Sequence, residues 1–133
     1  KDLIALNEEL VLLDNYFDLE RRRFGDRVRM ELDMGEDQLH LRLPPLTLQL
    51  LVENAIKHNV STSSEPLTIS IAAAERWLTV SNPLRPRSTP ARSTSFGLDS
   101  IRQRFAALTD RPMKVSQDNG IFSVRIPLIP EEP

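Results

Sequence analysis

Glu53, Asn54, Lys57 and His58 are spaced so that, on a helix, Glu53 lies one turn from Lys57 and Asn54 one turn from His58, in two adjacent rows. A carboxylate, an amide, an ammonium and an imidazole are more polar groups than a core helix has reason to carry. The pattern by itself leaves two readings open. Glu53 and Lys57 form a surface ion pair with Asn54 and His58 solvated, or the four belong to a polar binding site. A second place with chemical potential is Ser95-Phe96-Gly97, where a hydroxyl and a glycine precede the apolar stripe Leu98, Ile101, Phe105, Leu108, flanked by Arg102 and Arg104. A helix entrance there offers unpaired N–H groups and the positive end of a helix dipole to an anion.

The elements that must position these groups follow from periodicity. Leu46, Leu50, Leu51, Ala55 and Ile56 fall close to one helical face, and Pro44 and Pro45 sit where a helix start tolerates a fixed φ and a missing N–H. Leu3, Leu6, Leu10, Leu13 and Phe17 make Lys1–Arg23 a long amphipathic helix, and Asp18, Glu20 and Arg21 to Arg23 form its solvated, charged end. Val28, Met30, Leu32 and then Leu39, Leu41, Leu43 alternate with polar residues, which predicts two strands about Gly35, a hairpin or neighbours in one sheet. His40 falls on the polar phase and is assigned no chemistry. Leu67, Ile69 and Ile71 mark a third strand and Trp77–Ser81 a fourth, with Ala72–Arg76 as the turn between antiparallel partners. The stretch Asn82–Gly97 carries Pro83, Pro86 and Pro90, the cations Arg85, Arg87 and Arg92, and no acid, so it reads as a loop, either a linker or a working lid. Met113 and Val115 lead into the turn Asp118-Asn119-Gly120, and Phe122, Val124 and Ile126 lead out of it.

Bulk properties narrow the function. At 133 residues the chain is one domain with room for a single core. A net charge of −2 lacks the basic excess of a nucleic-acid surface. With no cysteine there is no disulfide framework, thiol nucleophile or thiolate metal site. No apolar run is long enough to span a bilayer and no signal peptide is present. The abrupt opening in helical sequence without Met suggests a piece of something longer, whose remainder has room for a membrane anchor.

The stretch LPPLTLQLLVENAIKHN, Leu43–Asn59, resembles the N-box of LytS-like sensor histidine kinases, whose form is close to PPLLLQPLVENAIKHG. EELVLLDNYFDLERRRFGDRV, from Glu8 to Val28, is similar to the family segment EELEFLENYLEIEKLRFGDRL, which joins a dimerisation helix to the ATP-binding domain. STSFGLDSIRQRF, from Ser93 to Phe105, is similar to the second glycine box SGIGLKNIRERL, with Ser95 in place of the first glycine and Gly97 and Leu98 kept. The resemblance implies a Bergerat (GHKL) fold: an α/β two-layer sandwich with a mixed, mostly antiparallel sheet of about five strands and the N-box and Leu98–Leu108 helices on one face. Residues 1–24 would then be the end of the dimerisation or linker helix, and 25–133 the ATP-binding kinase domain.

By the same resemblance the cofactors are ATP and Mg²⁺, with Asn54 as the Mg²⁺ ligand, Glu53 as a polar or catalytic group, and Lys57 and His58 as phosphate contacts. Asn82, in VSNPL, stands where the family aspartate accepts a hydrogen bond from adenine. An amide oxygen also accepts one, without charge assistance. Ser95, Gly97 and Leu98 would line the phosphates, although a glycine-poor box limits how closely backbone can wrap them. Asp118-Asn119-Gly120 looks superficially like the adenine box, but Asn-Gly between alternating strands is a turn. The implied reaction passes the γ-phosphate of ATP to a histidine on an upstream dimerisation helix and then to a response regulator. The phosphoacceptor segment is absent, so this piece alone would bind ATP without phosphorylating itself. A homodimer in the full-length protein, no direct membrane contact, and a cytoplasmic place beneath an inner-membrane sensor are further implications. The competing expectation is a nucleotide-free scaffold of the same fold with eroded glycine boxes.

Overall fold

The computed structural model describes residues 3–86 and 94–131. Helix α1 (Leu6–Phe24) buries Leu6, Leu13 and Phe17 on one face, as the periodicity requires. It begins where Glu8 Oε1 accepts the Ala5 N–H at 3.1 Å. It ends at Gly25, whose φ of 58° lies in the left-handed region that costs glycine nothing. Arg21, Arg22 and Arg23 are exposed, as expected of a solvated end.

The strands are β1 (Ile4–Ala5), β2 (Val28–Met34), β3 (Arg42–Leu43), β4 (Leu67–Ala74), β5 (Trp77–Pro83), β6 (Lys114–Asp118) and β7 (Ile121–Pro127), with helices α2 (Thr47–His58) and α3 (Thr94–Ala106) between them. Five strands form one sheet in the order β2-β4-β5-β7-β6. β2 and β4 run parallel because the chain crosses over through α2 to join them, and the other pairs are antiparallel. Glu75 and Arg76 make the β4–β5 turn with φ of 54° and 64°, and Asn119 and Gly120 the β6–β7 turn with 53° and 77°. Positive φ at both central residues matches a tight turn to the twist of its strands. The sheet is mixed and mostly antiparallel, as expected.

One face of the sheet is covered. Leu67, Ile69, Ile71, Leu78, Val80, Val124 and Ile126 point to it and join a single hydrophobic cluster with Leu48, Leu51 and Val52 of α2, Ile101 and Phe105 of α3, and the buried face of α1. α2 packs against both α1 and α3 and lies over β4 and β5.

Several local expectations are corrected. The alternation about Gly35 is not a hairpin. β2 spends its pairing on β4, Glu36–Gln38 forms a 3₁₀ turn, and Arg42–Leu43 pairs instead with Ile4–Ala5. α2 starts at Thr47, so Pro44 and Pro45 precede it rather than open it. Its buried stripe is Leu48, Leu51, Val52, Ala55 and Ile56, while Leu46 and Leu50 are exposed. The loop predicted over Asn82–Gly97 is shorter at both ends, because β5 continues through Pro83 and α3 begins at Thr94. Gly97 therefore lies in the first turn of α3, not before it. The lid reading rests largely on residues 87–93, with Arg87 and Arg92, which lie outside the described residues.

Candidate functional site

α2 presents its polar quartet along the edge that faces α3. Between the two helices lies a cleft of about 180 Å³ lined by Leu50, Glu53, Asn54, Lys57, His58, Gly97, Leu98 and Ile101. Six residues singled out from the sequence (Glu53, Asn54, Lys57, His58, Gly97 and Leu98) thus meet across one gap. Ser95 lies in the same first turn of α3 as Gly97. Glu53 and Lys57 are exposed, and Asn54 and His58 half-buried. A ligand would find a carboxylate, an amide, an ammonium and an imidazole on one wall and the start of a helix on the other. Gly97 keeps that wall open, since a Cβ built on it meets nothing within 4 Å.

The cleft among the described residues is smaller than the roughly 300–1,000 Å³ usual for small-molecule pockets, a size that suits one polar group of a larger ligand. Asn82 does not complete it. Its side chain points into the sheet's covered side, only 3% exposed, and its Nδ2 donates to the Pro83 carbonyl at 2.7 Å.

Glu53 and Lys57 also line a second hollow, on the α1 side, with Tyr16, Glu20, Arg23 and Phe24. Burial, followed by the neighbouring Glu20 and Glu53 carboxylates, pushes the Tyr16 hydroxyl upward, so it stays protonated.

Two positioning groups escape a reading based on exposed polar residues. Glu9 of α1 is 1% exposed. Its carboxylate accepts the N–H groups of Leu46 at 2.9 Å and Leu48 at 2.8 Å, so it caps α2 from a distant part of the chain. Leu46 there has a φ of 69°, a left-handed conformation that is strained for a residue with a branched side chain. Burial raises the Glu9 carboxyl above its ordinary range, and the backbone N–H groups act in the opposite sense. The second is Asn59, at the other end of α2 and 4% exposed. Its Nδ2 donates to Ala55 O at 2.9 Å and its Oδ1 accepts the Arg85 N–H at 2.8 Å. Val60 N–H returns a bond to Arg85 O at 2.8 Å. The chain leaving β5 is therefore pinned to the end of α2. Both residues had a legible signal: Glu9 falls on the apolar phase of Leu6 and Leu13, and Asn59 on that of Ala55.

No group of three or more His, Asp or Glu among the described residues is placed to hold a metal. The hard oxygens of Asn54 and Glu53 nevertheless suit Mg²⁺, which keeps several waters and takes phosphate oxygens, so that one or two protein oxygens suffice.

No family model matches the chain. Over 73 residues, 55% of this chain, it is 36% identical to the sensor histidine kinase YesM of Bacillus subtilis. Over 77 residues it is 35% identical to the sensor protein kinase HptS of Staphylococcus aureus. These matches span only 13% and 15% of the two proteins. Among solved structures, the cytoplasmic segment of histidine kinase QseC superposes with a TM-score of 0.66 at 12% identity, over 97% of this chain and 78% of that one. The catalytic domain of histidine kinase ThkA in a nucleotide-free form gives 0.60 at 18% identity, over 96% and 97%. Acinetobacter baumannii AdeS gives 0.59 at 16%, over 95% and 66%. Among the described residues no helix is long and apolar enough to cross a membrane. The chain thus has the fold of the histidine kinase catalytic domains and is related in sequence to the sensor histidine kinases.

Proposed function

We propose that the chain is the ATP-binding catalytic domain of a LytS-like two-component sensor histidine kinase. In the longer protein it serves phosphoryl transfer from ATP to a histidine on an upstream dimerisation helix, and from there to a response regulator. The observation that carries this reading is the cleft in which Glu53, Asn54, Lys57 and His58 of α2 face Gly97 and Leu98 of α3. Such a transfer asks little covalent chemistry of the protein and much positioning and charge neutralisation. Asn54 would hold Mg²⁺ through its amide oxygen, with Glu53 beside it as the polar or catalytic group. Mg²⁺, when bound, offsets the charge of the phosphate oxygens. Lys57 and His58 face the same gap as phosphate contacts, and Ser95, Gly97 and Leu98 bring the start of α3 to the phosphates. Asn82 is the candidate adenine contact. Residues 1–24 are the end of the dimerisation or linker helix, and the complete protein is a homodimeric sensor whose kinase part lies at the cytoplasmic side of the inner membrane. Support for a response regulator as partner comes from the complex of kinase ThkA with response regulator TrrA, whose chain resembles this one with a TM-score of 0.54 at 16% identity.

One observation favours the second reading, a nucleotide-free scaffold of the same fold. Asn82 is buried and its amide is engaged with Pro83, so it is not aimed into the cleft. Calorimetric titration with ATP, with and without Mg²⁺, separates the two. Saturable binding strengthened by Mg²⁺ is the expected result. Absence of heat at millimolar ATP would leave the scaffold reading standing. Calorimetry is preferable to fluorescence because Trp77 lies on the uncovered face of the sheet, its ring against the Arg111 and Arg125 guanidinium groups at 4.1 and 4.5 Å.

A further inference from the structure

The side of the sheet that no helix covers carries an ordered pattern of charge. Register aligns Asp33, Ala72, Thr79, Arg125 and Lys114 in one row across all five strands, with an acid at the β2 edge and two cations at the β7–β6 edge. Two residues further along each strand the row is Glu31, then Ser70, Ser81, Ser123 and Ser116. One step beyond that, the signs reverse: Arg29 stands at the β2 edge and Asp118 at the β6 edge. Asp33, Arg29, Lys114 and Asp118 are all exposed, and the ion pair of Arg23 with Glu20 lies elsewhere, on α1. Lys114 and Arg125 are direct cross-strand partners. Like charges in that position destabilise a sheet. The Trp77 ring beside them accepts both cations, at 5.4 Å from Lys114 and 4.5 Å from Arg125, so the positive corner is held in place with no acid opposite it on its own sheet.

We propose that this face is an interface for a second copy of the chain, related by a two-fold axis parallel to the strands and passing over β5. That axis lays β2 of one copy over β6 of the other and β4 over β7. Asp33 then meets Lys114 and Arg125, and Arg29 meets Asp118, each contact occurring twice by symmetry. The small side chains of the serine row allow two sheets to approach at the usual face-to-face distance of about 10 Å. A two-fold axis across the strands also pairs opposite charges at the corners, but it sets Glu31 against its own copy, so the parallel axis is preferred. Five strands at about 4.8 Å spacing and seven residues at about 3.3 Å give a face on the order of 500 Å² per copy. Stable interfaces bury about 800 Å² per partner. Association is therefore weak for free domains and grows in importance when two copies are held together and their effective concentration rises.

The test is sedimentation equilibrium of the 133-residue chain over micromolar to millimolar concentrations, at low and high salt. A monomer–dimer equilibrium that weakens with salt is expected. Asp33→Lys should weaken it by roughly tenfold, and so should Lys114→Asp. The pair Asp33→Lys with Lys114→Asp should restore it, because the swapped charges face each other only about the parallel axis. Lys114→Asp relieves the repulsion with Arg125 but removes the Lys114 contact with the Trp77 ring, so its melting temperature is read alongside to separate a folding defect from lost association. The chain has no cysteine, which allows a second readout. Ser81→Cys, near the axis, should cross-link between copies with a short bismaleimide, and Ser64→Cys, on an exposed loop, should not. A chain that stays monomeric at millimolar concentration, a dimer indifferent to both single reversals, or failure of the double swap to restore association would each overturn the proposal.

Discussion

Asn54 stands at the junction of two demands, since its helix must bury one face and offer the other to a ligand. Leu51, Val52, Ala55 and Ile56 take the first role, and Asn54, half-buried at the edge of the cleft, is left for the second. Asn54→Ala should therefore change the apo melting free energy by no more than about 0.5 kcal/mol. It should also abolish the Mg²⁺-dependent part of ATP affinity measured by calorimetry. A loss of several kcal/mol without ligand would make Asn54 a structural residue, as would equal ATP affinity in the parent with and without Mg²⁺. Gly97 makes the complementary case on the opposite wall. Nothing lies within 4 Å of a Cβ there, and alanine is the better helix former, so Gly97→Ala should leave the apo domain as stable or more stable by up to about 1 kcal/mol. A fall in ATP affinity in that otherwise undisturbed variant would show that the ligand approaches the α3 backbone closely. Unchanged affinity would place the phosphates elsewhere.

Glu9 links two elements, and its effect belongs to both. Removing it in Glu9→Ala leaves the first N–H groups of α2 buried without their acceptor, at a cost of about 1–3 kcal/mol in thermal or urea unfolding. Its titration has a definite sign. The folded carboxyl is raised above its ordinary value of 4.5, so between that value and the folded one the native state holds more protons than the unfolded state. Stability contributed by Glu9 is then highest at the acid end of this window, falls as pH rises through it, and is level above the folded value. Glu9→Gln cannot ionise and should flatten this segment of the stability–pH curve; an unaltered slope would mean that Glu9 is not raised. The same contact shows where sequence reading stops. Strands β4, β5 and β7, the Asn119-Gly120 turn and the outline of α1 and α2 were legible because alternation, helical period and turn chemistry are local properties. The gathering of the quartet with Gly97 and Leu98 was legible through resemblance. What was not legible depends on partners distant in sequence. The Leu39, Leu41, Leu43 alternation looks like a strand of the main sheet, yet it serves a short pairing of Arg42–Leu43 with Ile4–Ala5 and a core contact beneath α1. Leu46 reads as a core leucine, but the cap by Glu9 holds it in a left-handed turn that leaves it exposed. Asn82 lies on the inward phase of β5 and is 3% exposed, a burial that its polar side chain does not announce.

On the scale of the whole molecule, α1 does not stand beside the domain as a lever but closes its core. Leu6, Leu13 and Phe17 are each no more than 5% exposed and join the cluster built on Leu48, Ile69 and Leu78. The sequence junction near residue 24, proposed as the end of a linker, is therefore crossed by the hydrophobic interior. Truncating one buried large side chain costs about 2–5 kcal/mol. Deleting three, together with the Glu9 cap, approaches the 5–15 kcal/mol that an entire domain of this kind possesses. The expected behaviour of the fragment 25–133 is thus loss of cooperative melting, with near-ultraviolet ellipticity reduced and dye-accessible apolar surface exposed along α2 and β4. Adding a peptide of residues 1–24 in trans should restore a cooperative transition, and the same peptide carrying Glu9→Ala and Leu13→Ala should not. A fragment that melts cooperatively within a few degrees of the whole chain would separate α1 from the fold. With α1 as part of the core, a displacement of that helix reaches the cleft by two routes. One is the Glu9 bonds to Leu46 and Leu48 at the start of α2, and the other is the hollow that Tyr16, Glu20 and Arg23 share with Glu53 and Lys57. Arg23→Ala, at an exposed position on α1, should then alter ATP affinity while leaving the melting temperature within a degree or two. Unchanged affinity would confine the helix to a structural role.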